Sequence, residues 1–145
     1  MDDKQSQRIA RILGIEDCED IFDEALDVNE ETLEVYFQYL KKKMKYPCQL
    51  TCIDCFGWEE YYLYGPGDQD KYEELKKSRA CHTDTFDLID FEEVDLDEGI
   101  LVTVQRLSDK QNLTVPLANL EAMEKGSRNW QLLNDYSVWF SNFLR

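Results

Sequence analysis

The most regular pattern in the chain lies at residues 99–121. Ile100, Val102 and Val104 alternate with Leu101, Thr103 and Gln105, the period of two that marks a half-buried strand. Ser108-Asp109-Lys110-Gln111 is a polar cluster suited to a turn. Leu113-Thr114-Val115 resumes the strand, and Pro116 ends it because it has no N–H to give a ladder. The pattern predicts a β-hairpin followed by one tight helical turn over residues 116–120. Further strands are predicted upstream. Residues 85–93 place Phe86, Leu88 and Asp90 on one face and Asp87, Ile89 and Phe91 on the other. Residues 48–55 alternate in the same way, and the aromatic-rich residues 58–64 suit a second strand after the Phe56-Gly57 turn. Residues 94–99 form a tight acidic turn into the hairpin.

Helical spacing appears at the two ends of the chain. Ile9, Ile12 and Leu13 predict a helix over residues 4–13 that stops at Gly14, and Cys18, Ile21, Phe22, Ala25 and Leu26 form one apolar stripe over residues 16–26. Asn29 is a good N-cap, with Glu30 and Glu31 in the first turn behind it. Leu33, Tyr36, Phe37, Leu40 and Met44 then recur at helical intervals, and Lys41, Lys42, Lys43 and Lys45 fill the last turn before Tyr46-Pro47. Gly65-Pro66-Gly67-Asp68 is a turn, and residues 71–79 read as a short, exposed, charged helix. Ser127 caps a final helix whose stripe is Trp130, Leu133, Tyr136, Phe140 and Phe143.

Together these predict an α+β domain: a small, strongly curved antiparallel β-barrel with helices packed outside it. The 145 residues suit a single domain. Its parts are an N-terminal helical part (1–45), a barrel core (46–121) with a helical insert (69–79), and a C-terminal helix (127–144). A hydrophobic share of 43% separates it from disordered acidic tails. There is no apolar run of bilayer length, and the first residues, Met-Asp-Asp-Lys-Gln-Ser-Gln-Arg, lack the form of a secretory signal. A cytoplasmic protein is expected, with its five cysteines as reduced thiols.

The formal net charge is -15, which speaks against nucleic acid and anionic membranes and favours cations, either metal ions or a basic protein partner. The charge is unevenly placed. Residues 16–34 hold ten carboxylates and residues 84–98 hold eight, with no Lys or Arg in either run; together they take 18 of the 31 acids. Catalysis is not expected. His82 is the only histidine, nothing marks a nucleophile, and an acidic surface turn gives no sign of the burial that would shift a carboxyl pKa upward. Zinc is disfavoured, because Cys48 and Cys52 look like same-face strand positions rather than a close pair on a turn. Calcium takes six to eight oxygens in flexible geometry, which dense acidic turns can supply. Neither run is an EF-hand loop. Asp27, Asn29 and Glu31 begin one, but Thr32 stands where glycine is required and Gln38 where the bidentate acid belongs. Asp95 and Asp97 begin another, with Gly99 one residue early. The candidate ligands are therefore chosen by charge density: Asp90, Glu92, Glu93, Asp95, Asp97 and Glu98, with Asp20, Asp23 and Asp27 as a second choice.

Tyr-Phe-Gln-Tyr-Leu at 36–40 leading to Tyr46-Pro47-Cys48, then Val-Pro-Leu-Ala-Asn-Leu-Glu at 115–121, then the tryptophan-bearing Asp-Tyr-Ser-Val-Trp-Phe at 135–140, resemble the cyanobacterial calcium-binding protein family. The resemblance covers roughly residues 33–143. It implies a small, acidic, cytoplasmic protein with a Src-homology-3-like barrel that binds calcium without EF-hands and serves calcium signalling. The matched motifs are packing and turn motifs, so the resemblance carries over no ligand. The alternative is an acidic interaction module that docks a basic protein with no specific metal site.

Overall fold

The computed structural model describes residues 2–15 and 24–144. In chain order the elements are α1 (Asp3–Ile12), a 3-10 turn at Glu24–Leu26, α2 (Glu30–Lys43) and β1 (Gln49–Cys52). A 3-10 turn at Gly57–Glu59 leads into α3 (Glu60–Leu63), followed by α4 (Gln69–Leu75), β2 (Phe86–Asp95), β3 (Gly99–Arg106) and β4 (Asn112–Pro116). A 3-10 turn at Leu117–Asn119 then precedes β5 (Leu120–Ala122) and α5 (Arg128–Phe143).

The helix caps follow the local signals. Asn29 accepts from the Thr32 N–H and donates its own N–H to the Thr32 hydroxyl, both at 2.9 Å, a reciprocal capping pair. Ser127 accepts from the Trp130 N–H at 3.1 Å. The predicted strand at 58–64 is instead helical. Trp58 and Tyr62 are one helical turn apart and their rings meet edge to face at 6.2 Å. Tyr62 then stacks on Tyr72 of α4 at 5.7 Å, so packing between two short helices overrides the strand preference of aromatic residues. Of the helix expected at 16–26, residues 16–23 lie outside the described residues.

All sheet pairings are antiparallel, and the order is β4-β3-β2-β1-β5. The expected closed barrel is not formed: β4 and β5 remain as edges. The sheet is nevertheless bent by its own connectivity. A flat five-strand sheet would hold its outer strands about 19 Å apart. Pro116 and Leu120, on opposite edges, are joined by only three residues, a reach of about 14 Å at full extension. The edges must therefore curl toward each other, and β-bulges in β2, after Leu88 and after Phe91, supply the bend.

The core lies between the concave sheet and the helices. Phe37 of α2 meets Phe91 of β2 edge to face at 5.8 Å, and Tyr36 stacks on Trp139 of α5 at 4.8 Å. Tyr36, Tyr136, Trp139, Phe86 and Ile100 are fully buried. The apolar stripe of α5 thus packs on the sheet and on α2.

Candidate metal centre

The bulges in β2 decide where its acids point. In a regular strand Phe91 would share a face with Asp87 and Ile89, and Asp90 would follow Leu88 inward. The bulge after Leu88 leaves Ile89 unpaired and exposed, returns Phe91 to the core, and turns Asp90 outward. The face expected from simple alternation is therefore wrong beyond Leu88. The second bulge leaves Glu92 unpaired and exposed beside Glu93, with the Thr103 hydroxyl donating to Glu92 Oε1. Asp90 Oδ1 accepts from the next backbone N–H, Phe91, at 2.8 Å.

The turn from β2 to β3 is Leu96-Asp97-Glu98, closed by the Asp95–Gly99 pair. Asp95 Oδ1 accepts the N–H groups of Asp97 at 2.8 Å and Glu98 at 2.9 Å, so this carboxylate organises the turn. Gly99 has φ +79°, and a Cβ there would stand 2.4 Å from the Tyr136 hydroxyl. Both facts require glycine. The Tyr136 hydroxyl in turn accepts from the Ile100 N–H at 2.8 Å, which fixes the exit of the turn to α5.

The six first-choice residues are all exposed, and none of them has a Lys or Arg partner among the ion pairs of the described residues. Glu92 and Glu93 line a groove of about 430 Å³ that Glu30 and Glu34 of α2 line from the other side, with Phe37, Val94 and Leu96 as its apolar wall. The packing of α2 on β2 thus brings together one end of each acidic run. Asp90, Asp95, Asp97 and Glu98 are not among the groove-lining residues. No three His, Cys, Asp or Glu side chains among the described residues stand close enough together to hold a metal ion. The donor chemistry suits a hard cation, but these donors do not converge on one point. Among the second-choice residues, Asp20 and Asp23 lie outside the described residues. Asp27 is half-buried, and its backbone carbonyl accepts from the Thr32 hydroxyl at 2.7 Å, as part of the entry to α2.

Other charged groups serve the fold. Asp84, the first acid of the second run, pairs with the buried Arg106 at 2.7 Å, and Arg106 also holds Asp109 and the carbonyls of Lys76 and Lys77. Glu59 is fully buried. Oε1 accepts from the Phe56 and His82 N–H groups, each at 2.9 Å, while Oε2 meets the Tyr72 hydroxyl and His82 Nδ1, each at 2.7 Å. Burial pushes its pKa up, but the hydrogen bonds from Phe56, His82 and Tyr72 outweigh burial and hold it below the ordinary carboxylate value. Nothing in the sequence marks Glu59 among its acidic neighbours. The thiol of Cys52 is pushed up to about 12, first by burial and then by the nearby Glu59, Cys81 and Asp84, so in the ion-free protein it is a protonated thiol.

A helix and a bulged strand that face their carboxylates across one groove, with no EF-hand loop among the described residues, define a small acidic α+β protein whose charge favours a cation. The sequence profile of the CcbP family, a calcium-binding family, matches residues 55–140, and the chain belongs to that family. Calcium is the ion that membership assigns to it. Two solved structures share the fold over 99% of this chain. One is a calcium-binding protein in its calcium-binding form (TM-score 0.60, 15% identity, 94% of that chain covered). The other is Anabaena CcbP (TM-score 0.57, 14% identity, 93% covered). No curated protein matches the chain.

Proposed function

We propose that the protein is a calcium buffer or sensor whose ligands are the carboxylates at the β2–β3 end of the sheet, Asp90, Glu92, Glu93, Asp95, Asp97 and Glu98, joined by Glu30 and Glu34. The observation that carries this reading is the groove in which Glu92 and Glu93 face Glu30 and Glu34, without Lys or Arg among its lining residues. Like charges that face one groove repel and destabilise the ion-free protein, and a divalent cation removes that repulsion while supplying a centre for exposed, rotatable side chains to gather around. The solved relative in its calcium-binding form, which shares this fold, supports the same reading. We read the chain as one non-enzymatic domain in the cytoplasm. None of its described helices is long and apolar enough to cross a membrane. The strand order and the bent, bulged β2 favour a Src-homology-3-like arrangement of the sheet.

Calcium titration followed by amide chemical shifts tests the proposal. Saturable shifts at 92–98 and 30–34 are expected, with a stabilisation of about 2.7 kcal/mol once calcium reaches 100 times its dissociation constant. The second reading, an acidic module that docks a basic protein, rests on the lack of a ready-made three-ligand cluster among the described residues. If magnesium or sodium chloride at matched ionic strength raises the melting temperature as far as calcium does, that reading replaces the first.

A further inference from the structure

Half of the arginines of this acidic protein line one pocket. The chain has six, and Arg8, Arg11 and Arg128 all line a single pocket of about 190 Å³ between α1 and α5, with Tyr39 of α2 at its side. That is room for a ligand the size of about six water molecules. Ile12 and Leu132 give it an apolar lining, and Gln131 adds an amide. Arg8 is committed to the fold: its Nε and Nη2 grip the buried Asp135 at 2.8 and 3.0 Å, and Gln5 donates to the same carboxylate at 3.0 Å. Arg11 and Arg128 are exposed and have no hydrogen-bond or ion-pair partner among the described residues. Asp135 is the only acid among the lining residues and Arg8 offsets it, so the pocket carries a net charge of about +2 from the other two guanidiniums.

Helix stability does not explain Arg128. It is the first residue of α5, at the positive end of the helix dipole, where a cation is disfavoured. The starts of α1 and α2 carry the acids expected there, Asp3, Glu30 and Glu31, whereas α5 has no acid in its first turn. The combination raises the local positive potential in a molecule whose net charge is -15.

The geometry points to an anion site distinct from the calcium groove: the pocket between α1 and α5 takes a small organic dianion, a dicarboxylate or a phosphate ester, held by Arg11 and Arg128 against the apolar lining. Planar guanidiniums grip carboxylate and phosphate oxygens through paired N–H bonds, and both ligand classes present such oxygens. A monoanion would neutralise only half of the pocket.

The test uses the full chain, passed over chelating resin so that no divalent ion and no anionic chelator is present. Succinate and inorganic phosphate are the probes, read by calorimetry and by thermal shift, with acetate and sodium chloride at matched ionic strength as controls. At least one dianion is expected to bind saturably and to raise the melting temperature beyond the chloride control. Preference for succinate or for phosphate assigns the ligand class. Arg11→Ala and Arg128→Ala should each weaken that binding by about tenfold, the worth of one charge-assisted contact, and Lys125→Ala should leave it unchanged. The guanidinium Nε–H signals of Arg11 and Arg128 in the unaltered protein give a second readout that needs no variant, and both should shift with the dianion. Chloride matching both dianions, unweakened binding in both variants, or binding that leaves both arginine signals in place would each overturn the assignment.

Discussion

Glu59 and Glu93 each stand beside a second glutamate in the chain, and their surroundings are opposite. Glu59 is fully buried and its two oxygens meet four donors, two from backbone and two from side chains. Glu93 is exposed beside Glu92 and faces Glu30 and Glu34 across a groove with no cation lining it. The first is satisfied by the fold, and the second is left for something outside it. The contrast separates acids that build this protein from acids it offers, which net charge alone cannot do.

The largest effect should come from the buried partner. Glu59→Ala leaves the Tyr72 hydroxyl and two backbone N–H groups without their acceptor, and a loss of about 3–5 kcal/mol is expected in urea unfolding. The same group gives a pH signature. Its folded pKa is lowered, so its contribution is complete above the ordinary carboxylate value of about 4.3 and is lost as pH falls through the lower folded value. Glu59→Gln should flatten that acid limb relative to the unaltered protein when urea midpoints are compared from pH 6 to pH 3. A limb of equal steepness would remove Glu59 from its structural role.

Gly99→Ala comes next. It forces a side chain into left-handed backbone and against the Tyr136 hydroxyl, and about 2 kcal/mol of destabilisation is expected by the same measurement. The smallest effect has the opposite sign. Replacing Glu92 and Glu93 together by Gln relieves repulsion, so the ion-free protein should melt about 2 °C higher while the calcium-induced rise shrinks. Lower melting in that double variant would show that these two acids belong with Glu59 rather than apart from it.

Features with local causes could be read from the sequence. The Asn29 cap, the alternation from Ile100 to Val104 and the Ser127 cap all act within a few residues, and each predicted its element. The helical conformation of residues 58–64 could not be read, because it depends on Tyr62 reaching Tyr72 in another element. The outward turn of Asp90 was hidden for a related reason: a bulge is one extra residue against a partner strand, and no residue type in Leu88-Ile89-Asp90-Phe91 announces it. For the candidate site, charge density found Glu92 and Glu93 but not their opposition to Glu30 and Glu34. That juxtaposition exists only once Phe37 has packed on Phe91. The first run is continuous along the chain, whereas of its described acids the groove takes Glu30 and Glu34, one helical turn apart on α2.

The Tyr136 hydroxyl bond to Ile100 has a practical consequence. One helical turn along, the Trp139 indole donates to the Leu26 carbonyl at 2.7 Å, beside Asp27, and the two rings lie 6.0 Å apart. One aromatic pair therefore touches both acidic stretches, the first at Leu26 within it and the second at Ile100 just past its end. The indole is a native optical probe: a cation that draws either stretch inward changes the surroundings of Trp139, and emission spectroscopy reads occupancy without a label. Trp139→Phe silences that signal while Trp58 and Trp130 continue to glow.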